Sequence, residues 1–309
     1  MFDQITSNKR RSAVMIAVFL VLVAAVAWAF STVIGLGPWG ILAAVVVAVA
    51  TSFASYWKSD AIALAMSHAQ PADPTNYARL HNLVEGLCIA SGLPKPRLYV
   101  VEDDAPNAFA TGRDPKHAAI AVTTGLLDKM NRIELEAVLA HELSHVKNYD
   151  ILVSTLAVTM VGIIALLSDW ALRFMWWGGP RHRDDRNRDG NGAMAIVAIL
   201  GFVLLLVAPL IAKVMQLAIS RKRESLADIS GVAMTRYPPG MISALEKLKA
   251  DQTVVHSSSR ATAHLWIESP IPRAPGEELH RGEEKLTWLN RMFDTHPSLD
   301  DRIQALREL

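Results

Sequence analysis

Between Ser12 and Trp57 the chain carries no Asp, Glu, Lys, Arg or His. At about 1.5 Å per helical residue, such a run is long enough for two crossings of a hydrocarbon layer roughly 30 Å thick. Gly35, Gly37, Pro38 and Gly40 break it in the middle, so the pattern predicts one helix over Ser12 to Phe30 and a second over Ile41 to Trp57. Lys9, Arg10 and Arg11 ahead of the run, with Ala25-Val26-Ala27 inside it, also fit a cleavable leader. The immediate second apolar segment argues instead for a retained hairpin. Two further apolar stretches, Ile151 to Ser168 and Gly192 to Ala212, bracket a polar loop from Gly178 to Asn191. A charge inside the bilayer costs at least about 2.5 kcal/mol, so Asp169 and Arg173 leave two readings of this second pair open, membrane-spanning or buried at the interface.

Elsewhere the periodicity is that of a soluble domain. Asn76 to Ser91 reads as a helix, Arg97 to Val101 as a strand, and Ala108 to Thr111 with Ala118 to Thr123 as a hairpin around Gly112-Arg113-Asp114-Pro115. The low side-chain bulk of Ala118-Ala119-Ile120-Ala121-Val122 suits an edge strand able to pair with an extended peptide, which makes Ala118 and Ile120 candidate substrate-binding positions; an internal strand is the other reading. Asn131 and Glu134 form a capping-box pattern ahead of Ile133, Leu135, Val138, Leu139 and Leu143, predicting a buried helix to about Lys147. Thr253 to Lys285, rich in Ser, Pro, Gly and charge, reads as a mobile or irregular loop that contains His256, His264 and His280. The organisation expected is a hairpin over 1–57, a first catalytic part over 58–150, a second hydrophobic hairpin over 151–219 and a second catalytic part over 220–309.

Charge and composition narrow the setting. The net charge of +1 gives no reason to expect nucleic acid as a partner. Lys9, Arg10, Arg11, Lys58, Lys147, Arg221, Lys222 and Arg223 outweigh the mixed loop from Arg181 to Asp189, which places both ends of the chain in the cytoplasm if the hairpins cross. Cys88 is the only cysteine, so no intramolecular disulfide forms, and in Leu87-Cys88-Ile89 it reads as a small buried hydrophobe.

The chemistry sits in Ala140-His141-Glu142-Leu143-Ser144-His145. Positions four apart share a helical face, so His141 and His145 can approach one zinc ion while Glu142 reaches a water in the open coordination position. Glu224 offers a third ligand. Asp228, one turn further, suits a carboxylate that fixes the tautomer of a ligand histidine. Because the ligands lie on both sides of the second apolar pair, an odd number of crossings there is excluded. A zinc-binding adaptor without turnover needs only the three ligands, whereas hydrolysis needs Glu142 as well.

Asn107-Ala108-Phe109-Ala110-Thr111-Gly112, the His141 to His145 motif, Ser220-Arg221-Lys222-Arg223-Glu224 with Ala227-Asp228, and His296-Pro297 with Arg302 resemble the HtpX membrane zinc metalloproteases. The resemblance implies an α+β, gluzincin-like protease domain combined with two hydrophobic helical hairpins, hence up to four transmembrane helices. It implies one Zn2+ per subunit on His141, His145 and Glu224, with Glu142 as general base and His296 helping to hold the developing oxyanion. Asn107 and Arg302 join the substrate-binding candidates, Arg302 by orienting a nearby carboxylate or carbonyl. The implied setting is the bacterial inner membrane, with a cytoplasmic catalytic domain acting in quality control on membrane-protein or peptide substrates, the lipid bilayer around it and other quality-control proteases as candidate partners. CAAX-type prenyl proteases share the zinc motifs, but their larger number of spans argues against that activity.

Overall fold

The computed structural model describes residues 2–34, 37–158, 160, 221–251, 253, 265–267 and 298–309. His296, the loop from Arg181 to Asp189, the second apolar pair beyond residue 160 and nearly all of Thr253 to Lys285 lie outside these residues.

Helices α1 (Phe2–Ile34) and α2 (Gly37–Met66) pack against each other, and the break between them falls at the glycines that predicted it. Among the described residues no helix is long and apolar enough to cross a membrane. The side chains of residues 25–38 are outside those described, so the expected crossing rests on the charge-free sequence. Helix α2 continues past Trp57, where the first charges end the apolar pattern. Lys58 is exposed, whereas Ala63 and Leu64 are buried against Val101, Phe109, Ala119 and Ala121. Its last turns belong to the domain that follows.

That domain is built on a four-stranded sheet of order β1 (Gln70–Pro71), β2 (Arg97–Val101), β4 (Ala118–Thr123), β3 (Ala108–Gly112). β2 and β4 run parallel in register Leu98 to Ile120, and β3 and β4 form the predicted antiparallel hairpin with Phe109 opposite Ala121. Of the two readings of β4, edge or internal strand, the internal one holds and the edge one is corrected: β4 is paired on both sides and buried along its length, and the edge beside it is β3. The small side chains of β4 have a different cause. Side chains alternate between the faces of a strand, so Ala118, Ile120 and Val122 face one core cluster while Ala119 and Ala121 meet α2 in the other. A strand covered on both faces reads as continuously apolar.

Helix α3 (Ala78–Ser91) starts two residues later than its pattern suggests, because the Asp73 carboxylate accepts from the backbone N–H groups of Thr75 and Asn76 and holds them in a turn. A short α4 (Thr124–Lys129) follows the sheet. Helix α5 (Arg132–Lys147) then starts at the predicted capping box, with the Asn131 side chain accepting from Ile133 and Glu134 N–H and the Glu134 carboxylate accepting from Asn131 N–H. Helices α6 (Arg221–Thr235), α7 (Pro238–Ala250) and α8 (Leu299–Arg307) complete the described domain, with α6 lying along α5. Gly231 permits that approach, since a Cβ there would stand 3.0 Å from His141 N. Leu265, Trp266 and Ile267 differ from the mobile loop expected around them. Trp266 packs edge-on to Phe109 at 4.8 Å, and Ile267 N–H donates to Ala108 C=O on the outer side of β3.

Candidate metal centre

His141 and His145 lie one turn apart on α5 with ring centroids 4.7 Å apart and their Nε2 atoms 3.1 Å apart. Glu224, carried in the first turn of α6, brings Oε2 to 3.7 Å from His141 Nε2 and Oε1 to 3.6 Å from His145 Nε2. One ligand atom from each of the three falls within 4.8 Å of the others. The expected third ligand therefore meets the histidine pair, and each other side of both imidazoles is occupied too. His141 Nδ1 lies 2.9 Å from Asp228 Oδ1, and His145 Nδ1 lies 3.1 Å from Asp150 Oδ2.

With a carboxylate beside each Nδ1, a neutral imidazole would carry its proton there, and both Nε2 lone pairs would then point at one another and at the Glu224 carboxylate. Three electron-pair donors converging in a buried space repel unless a proton or a cation stands between them. Two nitrogens held tetrahedrally by zinc at about 2.0–2.1 Å would be separated by roughly 3.4 Å, close to the spacing found. The donor set of two imidazoles and one carboxylate, with a histidine pair already turned inward, fits that ion.

Without the ion the same convergence is expressed as proton affinity. Burial pulls the His141 imidazole down, but Asp228 and Glu224 beside it win and hold it up at about 9. Burial pushes the Glu142 carboxyl above the ordinary carboxylate range, with the His141 and His145 side chains working the other way. Asp228 is opposed by burial yet held down at about 2, chiefly by Arg302. Glu142 is 2% exposed and shares with His141, His145, Glu224, Ala110 and Ile267 a cavity of about 30 Å³, room for about one water.

The remaining expectations sort as follows. Asp228 stands where expected. Arg302 does orient a carboxylate, donating from Nε to Asp228 Oδ2 at 2.8 Å and from Nη2 to Oδ1 at 2.6 Å, and from Nη1 to Ile267 C=O at 3.3 Å. At 2% exposure it is buried behind the Asp228 carboxylate. Asn107 is buried at the start of β3, its side chain accepting from Ala108 N–H and its backbone C=O from Thr123 N–H. Ala118 and Ile120 sit in the core beneath the sheet's central strand, so neither borders the site. Asp150 was not foreseen, although a carboxylate five residues past a ligand histidine is the local signal that would have found it. Gly231 continues the series Glu224, Asp228 at helical spacing and was legible in the same way.

Two imidazoles and a carboxylate converging beside a buried glutamate suit a class, the metal-dependent peptidases. Residues 74–309 match the family described as Peptidase family M48, and the chain belongs to that family. Among its relatives are proteins named Protease HtpX homolog. That of Thermoanaerobacter pseudethanolicus is 42% identical over the whole of this chain and 98% of its own length. That of Lactobacillus acidophilus is 39% identical with both chains covered completely, and that of Tropheryma whipplei (strain Twist) is 45% identical over 82% of this chain and 80% of its own. A fainter likeness, TM-score 0.48 at 17% identity, is to the crystal structure of S. mikatae Ste24p, covering 99% of this chain and 67% of that one. The chain is a metalloendopeptidase.

Proposed function

We propose that this chain is an integral membrane endopeptidase holding one zinc ion on His141, His145 and Glu224, and that it cleaves misfolded or damaged membrane proteins at the cytoplasmic face of a bacterial inner membrane. The observation that carries the zinc reading is the convergence of the two Nε2 atoms and the Glu224 carboxylate in a buried space. The membrane reading is supported by the charge-free run from Ser12 to Trp57 and by α2 entering the catalytic domain directly.

Zinc, when bound, supplies a Lewis acid that polarises a carbonyl and makes water acidic near neutral pH. Glu142 would take a proton from a water held beside the ligands and would pass it to the departing amine. The cavity beside it has room for about one water.

The substrate backbone is proposed to pair with β3. Asn107 exchanges hydrogen bonds with Thr123, so by the alternation of an antiparallel pair Phe109 and Thr111 bond to β4 while Ala108, Ala110 and Gly112 turn outward. Ile267 takes the outward group of Ala108 and Thr155 Oγ1 accepts from Gly112 N–H, leaving Ala110 between them on the cavity wall. An extended peptide docked there would present a carbonyl to the metal. His296 is retained as the group expected to help hold the oxyanion.

Replacing Glu142 with Gln keeps the shape and removes the base. The variant is expected to bind zinc with unchanged stoichiometry and to lose about 10²- to 10⁴-fold in cleavage of casein or a membrane-protein substrate. Full activity in the zinc-loaded variant would sink the assignment.

A further inference from the structure

Asp150 is held from a part of the chain far from the site. Asn8, on the second turn of α1 and 2% exposed, donates its amide to Asp150 Oδ1 at 2.7 Å and to Asn148 C=O at 2.9 Å. Asp150 Oδ2 is the atom that faces His145 Nδ1. Arg223, one residue before Glu224, places Nη1 3.6 Å from the same Asp150 oxygen that Asn8 holds. The turn between α5 and the helical residues beyond it is not relaxed. Tyr149 has φ +59°, in the left-handed region that a side chain disfavours, and Lys9 Nζ stands 4.6 Å over its ring. Two successive residues of α1 thus grip three successive residues of that turn. The Asp228 carboxylate is fixed by a two-point guanidinium; the Asp150 carboxylate is fixed by an amide from the other end of the chain.

We propose that Asn8 is a positioning residue of the metal centre, acting through Asp150 on His145, so that docking of the first turns of α1 sets the affinity of the site for its metal. It rests on the reading of His141, His145 and Glu224 as the ligands. A carboxylate that loses its own anchor can rotate away from the imidazole, and the ligand then loses both its tautomer and its aim. Loss of such outer partners typically costs 10- to 100-fold in metal affinity. An amide is suited to this task because it adds no charge beside Arg223.

The test is a zinc competition titration against a chromophoric chelator on the full-length protein in detergent. Asn8→Ala is expected to weaken zinc about 10-fold, and Asn8→Asp, which keeps the shape but replaces the donor with an acceptor, at least as much. In an Asp150→Ala background the substitution at Asn8 should change zinc affinity no further, because the group it acts through is gone. An unchanged affinity in Asn8→Asp overturns the proposal. So does an equal loss in both backgrounds, which would mean that Asn8 merely holds α1 in place. His145→Ala, measured alongside, separates the two levels: if it binds zinc as tightly as the parent chain, the ligand assignment itself is wrong, whereas its loss of zinc with no effect of Asn8 condemns only the role given to Asn8.

Discussion

Arg302 shows how much a single buried side chain can matter. Its guanidinium is fully buried and its ion pair with Asp228 is two-pronged. Removing one partner of such a pair strands the other, at a cost of about 3–5 kcal/mol. Arg302→Ala should therefore lower the midpoint of thermal unfolding in detergent far more than Arg302→Lys, and should release zinc together with stability. Asp228→Ala is expected to weaken zinc roughly 10- to 100-fold, measured by chelator competition, whereas Glu224→Ala should abolish tight binding. Glu224→Ala holding zinc normally would move the third ligand elsewhere. His141, Glu142 and His145 were legible because their meaning lies within one helical turn. Glu224 and Asp228 were legible because a third donor was required and a helical pair of carboxylates was available. The anchors of those carboxylates were harder to see, since nothing near Asn8 in sequence says that residue 150 will come to it.

Among the helices, α5 depends on its ends. Glu134 accepts from Asn131 N–H, from Ser243 Oγ at 2.7 Å and from Lys247 Nζ at 2.6 Å, tying the start of α5 to α7. Burial pushes its carboxyl up, but the hydrogen bonds from Lys247 and Ser243 prevail and hold it below the ordinary glutamate value of 4.5. A carboxyl depressed in the folded state stabilises the fold fully above that ordinary value, and the contribution fades as pH falls through the lower, folded value. Thermal stability should thus fall on acidification below about pH 4.5, and Glu134→Gln should be less stable than the parent at pH 7 but flatter in that acid range. Helix α6 depends on the absence of a side chain. Gly231→Val puts branched carbons where a Cβ already meets His141 N at 3.0 Å, so it should lever α6 away from α5 and lower zinc occupancy along with the unfolding temperature. Occupancy equal to the parent's would show that the two helices can shift without separating their ligands. The misread strand teaches the complementary lesson. Poverty of bulk in β4 was visible, but its cause, close cover by α2 on one face and by the core around α5 on the other, is a property of helices distant in the chain.

At the scale of the whole molecule, the contact of Asn8 with Asp150 places the beginning of α1 on the same side as the metal centre, and the entry of α2 into the domain brings the hairpin back to that side. In a chain with Cys88→Ala, single cysteines at Ser91 and Ala250 should both be shielded from an impermeant thiol reagent in intact cells. Labelling of both would reverse the proposed orientation, and labelling of only one would contradict a shared site. The centre also has a history in time. His145 emerges from the ribosome with Asp150 and Asn8 already made, but its partners on α6 and α8 come later, and at about 5–20 residues per second the roughly 160 residues to Arg302 take on the order of 10–30 s. For about the first half of that interval the nascent chain holds His141, Glu142 and His145 without Glu224. On the proposed reading, the ligand set is thus completed only after the hairpin that precedes it has been made and has had time to settle in a bilayer.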